Sequence, residues 1–178
     1  MSELLPSEKY SLPAVLLHWA IAVLIVVQFG LGWIMEELPK GPEKTSYFAL
    51  HKSVGITIFF LAVLRLGWRV GHRPPALPSS MTPWERSLAS ATHALLYVLV
   101  FLQPVSGYLS SSFSGYTTSF FGWPLPHWGW KDLVLNDFFS GVHEANALLL
   151  LVVVLTHIAG ALRHALRPGD QVFRRMLP

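Results

Sequence analysis

Five histidines, His18, His51, His93, His143 and His157, fall inside long apolar stretches of this sequence. An ionisable side chain at membrane depth is costly and is by default a functional signal. One such histidine would read as an interhelical hydrogen-bond partner. Five, with almost no acidic residue beside them, are hard to explain that way. His143 and His157 are fourteen residues apart, which on a helix means about 21 Å of rise and side chains within about 40° of one another. One helix therefore presents two imidazoles on one face, one in each leaflet. His51 has the depth to meet His143, and His18 the depth to meet His157. Two stacked pairs of imidazole nitrogens are what two b-type haems require, because each iron takes two axial ligands and needs no covalent link. The sequence has no Cys, which excludes only the c-type attachment. A bis-histidine iron has no open coordination position and suits electron transfer better than oxygen chemistry.

The remaining candidates are weaker. His93 shares the depth of His18 without a spare partner; it could replace an inner ligand, contact a haem propionate or a quinone, or satisfy a neighbouring helix. Lys52 on the outer side, and Arg65, Arg69 or Arg163 on the inner side, could face propionates, although headgroup anchoring explains them equally. Gly55, Gly141 and Gly160 lie within four residues of His51, His143 and His157 and suit either a macrocycle or close helix contact. His164 follows His157 by seven residues and reads as interfacial, while His72 and His127 fall in loops. Glu144 follows His143, but the segment lacks the second His of a zinc-protease helix.

The elements that must position these residues are membrane spans. Of 178 residues, 52% are hydrophobic and 13% charged, against about 25% charged in soluble domains. A net charge of +3, dispersed along the chain, gives no basis for nucleic-acid binding. Without Cys there is no disulfide, thiolate metal site or cysteine nucleophile. A span needs roughly 20 apolar residues, and four are expected, at about 12–35, 47–70, 88–112 and 141–162, with Gln103-Pro104 loosening the third. The expected fold is an all-α integral membrane protein, a four-transmembrane-helix bundle forming one domain over 1–178. The first span is too long for the apolar core of a signal peptide and is expected to stay in the mature protein.

Lys9, Arg65, Arg69, Arg73, Arg86, Arg163, Arg167, Arg174 and Arg175 fall on one side, and Lys40, Lys44, Lys52 and Lys131 on the other. The excess predicts both termini in the cytoplasm, and hence a bacterial inner-membrane protein with its first and third loops in the periplasm. The third loop, 113–140, carries nine aromatic residues and reads as an interfacial belt, with a short helix lying flat on the bilayer as one form and a lid over a redox site as another.

Four segments carry a family resemblance: LLHWAIAVLIVVQFGLGW around His18, HKSVGITIFFLAVLRLGWR from His51, HALLYVLVFLQPVSGYLSS from His93, and HEANALLLLVVVLTHIAGALRHALRPGDQVFRRMLP from His143. Together they resemble the prokaryotic cytochrome b561 family over nearly the whole chain. The resemblance implies a four-helix inner-membrane cytochrome b with two haems b and a quinone, ubiquinone or menaquinone, as one redox partner. It places the inner haem's ligands at His18 and His157 and the outer haem's at His51 and His143, with His93 outside the ligand set. Stand-alone members of the family imply superoxide as donor and ubiquinone as acceptor, which would make the chain an oxidoreductase; the residues themselves do not identify a periplasmic donor.

A second class resembles this layout: the membrane-anchor cytochrome b subunits of dehydrogenases and hydrogenases. Those are longer, and co-purification in mild detergent discriminates the two. A metal or proton transporter using the histidines as a relay is disfavoured, because the expected spans contain no Asp and only Glu144 at an end.

Overall fold

The computed structural model describes residues 9–78 and 81–177. Four long helices, α1 (Leu12–Glu37), α2 (Pro42–Gly71), α3 (Pro83–Phe113) and α4 (Leu133–Ala165), account for most of it. They contain 26, 30, 31 and 33 residues. At about 1.5 Å per residue they measure about 39 to 50 Å, more than a hydrocarbon core of about 30 Å. All four are long and apolar enough to cross a membrane.

The helices outrun the expected spans for local reasons. Pro42 and Pro83 each take the first helical position, where a missing N–H costs nothing. Glu85 accepts from the backbone N–H and the hydroxyl of Thr82, both at 2.9 Å, closing the first turn of α3. Asp132 accepts from the N–H groups of Val134 and Leu135 at 3.0 and 3.1 Å, an N-cap that starts α4 eight residues before the expected span. α3 runs through Pro104 as one helix.

The close pairs among the long helices are α1 on α2, α2 on α3 and α3 on α4. α4 therefore packs closely on α3 alone and faces α1 and α2 across a wider separation. Ile21, Leu31, Val54, Ile58 and Ala62 form one buried cluster, and Leu99, Leu150 and Val153 a second. The outer faces are apolar too: Val26 is 69% exposed and Leu148 66%. Such continuous apolar exposure marks a lipid-facing surface.

The third loop differs from the flat helix considered for it. β1 (Ser119–Phe120) and β2 (Trp123–Pro124) pair antiparallel, Phe120 opposite Trp123. Phe121 and Gly122 have φ of 45° and 90°, the two positive values a type I′ hairpin turn requires. The hairpin is tied to the helices where the Phe121 N–H donates to the Ser53 hydroxyl at 2.9 Å. Tyr116, Trp123, Trp128 and Trp130 are exposed around it, as in an interfacial aromatic belt. Beneath them the buried Phe113 ring stacks on Phe139 at 5.8 Å and meets Trp130 edge-on at 6.0 Å. A Cβ at Gly129 would stand 2.7 Å from Phe113 Cδ1. Gly129→Ala is expected to overpack this stack and destabilise the protein by about 1–3 kcal/mol, read as a lower thermal midpoint with haem content unchanged; an unchanged midpoint would contradict it.

At the opposite end, where the described chain begins and ends, it folds back on the bundle. Trp19 Nε1 donates to the Met176 carbonyl at 2.7 Å and Arg175 to the Ala76 carbonyl at 2.6 Å. His164, read from sequence as interfacial, is buried and paired with Asp170 at 2.7 Å. The tail after α4 supplies that carboxylate, which spacing along α4 alone does not show.

Candidate haem sites

α4 carries His143 towards the hairpin end and His157 towards the terminal end, and α2 and α1 bring a partner to each. The ring centres of His51 and His143 are 6.2 Å apart, those of His18 and His157 6.1 Å. With metal–imidazole bonds of about 2.0–2.1 Å, and about 1.1 Å from nitrogen to ring centre, two imidazoles on opposite sides of one metal have centres about 6.3 Å apart. Both pairs have this spacing. His93 also approaches His157, with centres 5.3 Å apart, which is about 1 Å short of that span. The structure thus brings together the four histidines paired by depth and sets the fifth beside the terminal-end pair.

The donor chemistry narrows what such pairs can hold. No group of three or more His, Cys, Asp or Glu side chains is placed to hold a metal ion among the described residues. A bare structural metal ion takes about four protein ligands, whereas a metal inside a macrocycle needs only two axial ones. Each pair also bridges α4 to a helix on which it is not closely packed, the separation a flat macrocycle needs. The buried Nδ1 of His51 has no hydrogen-bond partner among the described residues. These residues fit haem.

The neighbours differ in part from those expected. Lys52 donates to the Ser111 hydroxyl at 2.7 Å, tying α2 to α3 beside His51. Arg65 donates to the Ala14 carbonyl at 2.7 Å, one turn from His18, and the Arg69 guanidinium lies 5.7 Å from the Tyr97 ring centre. Arg65, Arg69, Lys9 and Arg73 line a cavity of about 530 Å³ with Trp68 and Tyr97, a cationic rim suited to carboxylates. Arg163 does not join it. Its guanidinium donates to Glu85 at 2.9 Å and lies 5.4 Å from the centre of the Trp84 ring, because the longer α3 brings a buried carboxylate within reach.

Among the glycines, Gly55 lets the Gln28 amide approach, 3.2 Å from a Cβ built there, while Cβ atoms at Gly141 and Gly160 meet nothing within 4 Å. The glycines that face the histidines are Gly32, 3.6 Å from His51, and Gly107, 2.9 Å from His143. Sequence reasoning also missed Gln28, Gln103, Ser106 and Asn146. Gln28 donates to the His51 carbonyl at 3.0 Å, and Gln103 and Ser106 surround the His143 ring. The available signal was polarity inside an apolar span, which marks residues turned into the bundle.

Comparison with known proteins agrees with this geometry. The sequence profile of prokaryotic cytochrome b561 matches residues 9–178. The chain belongs to the prokaryotic cytochrome b561 family. It is 34% identical to cytochrome b561 homolog 2 of Escherichia coli over 178 residues, covering 96% of this chain and 92% of that protein. Cytochrome b561 homolog 1 of the same organism is 22% identical, with 96% and 97% covered. Cytochrome b562 of Cereibacter sphaeroides is 25% identical, with 94% of each covered. As a b561-family protein the chain is a multi-pass membrane cytochrome of the electron-transferring b type, and its cofactor is haem b.

Proposed function

We propose that this cytochrome carries electrons across a bacterial inner membrane through two bis-histidine haems b and exchanges them with the quinone pool. His18 and His157 hold the haem of the cytoplasmic half, and His51 and His143 that of the periplasmic half. When bound, haem supplies a reversible one-electron couple. The protein's part is to hold two imidazoles per iron, to exclude water with apolar helix faces, and to set cations at the rims. Lys52, Arg65 and Arg69 are the rim cations. His93 stands beside the cytoplasmic pair as a polar neighbour and not as a ligand.

The observation that carries this reading is the pair of ring-centre distances, 6.2 and 6.1 Å, one at each end of α4. The two levels are about 21 Å apart by helix rise, inside a core of about 30 Å. The positive-inside excess supports cytoplasmic termini. With them the hairpin end faces the periplasm, where a small reductant, superoxide first among those to test, would donate, while a ubiquinone or menaquinone reaches the bundle from the lipid.

Anaerobic mixing of the oxidised, purified protein with a short-chain ubiquinol tests the exchange. The expected result is rapid growth of the ferrous haem α-band to a fraction set by the quinol/quinone ratio. A protein that dithionite reduces fully but quinol does not reduce at all would contradict it.

A further inference from the structure

Two deeply buried polar groups between α3 and α4 belong to no assigned ligand. Ser106 is 1% exposed and Asn146 5%, and both surround the α4 turn that carries His143. Nδ1 of His143 lies 2.9 Å from the Gln103 carbonyl and 3.3 Å from the Ser106 hydroxyl. A carbonyl can only accept, so Nδ1 bears the proton and Nε2 keeps the lone pair. Ser106 donates to that same carbonyl at 3.0 Å and competes with Nδ1 for it. Gly107 completes the seat, since a Cβ there would stand 2.9 Å from both Nδ1 and Cε1 of the ring. The Gln103 side-chain N–H donates to that Nε2 lone pair at 3.1 Å, so this amide must turn aside for Nε2 to serve as an axial ligand. Asn146 anchors that amide by donating to its oxygen and to the Leu99 carbonyl. Among the described residues the rings of His18, His51 and His157 make no such hydrogen bond.

We propose that the Gln103 carbonyl, with Ser106 and Gly107, forms a positioning seat that fixes the orientation and basicity of His143. It thereby lowers the reduction potential of the hairpin-end haem and not of the other. The proposal rests on the reading of His143 as an axial ligand. A ligating imidazole that donates its second N–H to a carbonyl is a stronger donor to the metal, and a stronger axial donor favours the ferric state. Among the described residues nothing equivalent acts on the His18–His157 pair.

Two neighbouring substitutions should move one potential in opposite directions. Gly107→Ala drives the ring off the carbonyl, so the midpoint of the hairpin-end haem rises. The expected change is on the order of tenfold in its reduction equilibrium, about 59 mV for a one-electron couple. Ser106→Ala removes the hydroxyl that competes for the carbonyl. That contact is shorter than the one to Nδ1, so its loss dominates and the same midpoint falls, by a few-fold in the equilibrium.

Redox potentiometry of the purified haem-loaded protein, with the low-spin signal of each haem followed by electron paramagnetic resonance, reads both effects. One midpoint moving up and then down while the other stays fixed supports the seat, as does loss of that haem alone in Gly107→Ala. Shifts of the same sign, shifts in both haems, or no shift with two haems bound would overturn it; a general loosening of the bundle gives the first two. His143→Ala separates the two levels of the claim, because retention of both haems there would remove His143 as a ligand, whatever the seat does.

Discussion

His143→Ala or His51→Ala is expected to leave one haem per chain where the unaltered protein holds two. The surviving haem should keep its spectrum and midpoint, because its ligands, His18 and His157, sit about 21 Å away along α4. His18→Ala or His157→Ala should give the complementary protein, which retains the haem that His143→Ala loses. The effect is all-or-none at the hairpin end because, among the described residues, no third histidine ring lies beside His51 and His143; His127, also at that end, faces the Ser112 carbonyl at 3.4 Å instead. At the terminal end His93 lies 5.3 Å from His157, on the same side of the contest as His18. Its spacing is too short to share one metal with His157 in the present geometry, so His93→Ala should keep both haems. Haem content per protein, with separate reduced spectra of each variant, checks the whole set. If His93→Ala loses a haem and His18→Ala does not, the ligand at the terminal end is His93.

Glu85→Gln is the second large effect expected, and it acts on stability. The Glu85 side chain is 4% exposed, and one of its oxygens receives Arg163 at 2.9 Å and Arg167 at 3.0 Å. The other oxygen receives the N–H and hydroxyl of Thr82. One carboxylate thus closes the start of α3 and binds the end of α4 to it. The two arginines are 48% and 41% exposed, and each can return to water, so Arg163→Ala or Arg167→Ala alone should cost little. The carboxylate cannot return to water, so removing both arginines should cost more than the sum of the single changes. Thermal unfolding in detergent should rank Glu85→Gln well below either single arginine variant. A melting midpoint equal to that of the unaltered protein would show that the cluster is only a surface contact.

The pairing of histidines was legible because a histidine in a long apolar span stands out, and because fourteen residues come to nearly four helical turns. Both facts belong to single helices. What escaped depends on register between helices. Gly107 and Gly32 approach His143 and His51 from other helices, whereas a Cβ at Gly141 or Gly160, close to the histidines in sequence, would meet nothing within 4 Å. Arg163 reads as a rim cation until α3 is known to start at Pro83 and to bring Glu85 beside it. The hairpin of the third loop has only half of its local signal, Gly122, because Phe121 at φ 45° is a residue type that rarely takes the first position of a type I′ turn. Helix ends outran the spans because apolar composition marks the lipid, while Asp132 and Thr82–Glu85 mark where hydrogen bonding begins.

Two closed bis-histidine sites fix both the number of haems and how each is held. A pyridine haemochrome count against quantified protein, with an electron paramagnetic resonance spectrum of the same oxidised sample, measures both. The expected result is two haems b per chain, all low-spin, with no carbon monoxide adduct on reduction. One haem per chain, or a high-spin fraction that binds carbon monoxide stoichiometrically, would contradict two closed bis-histidine sites.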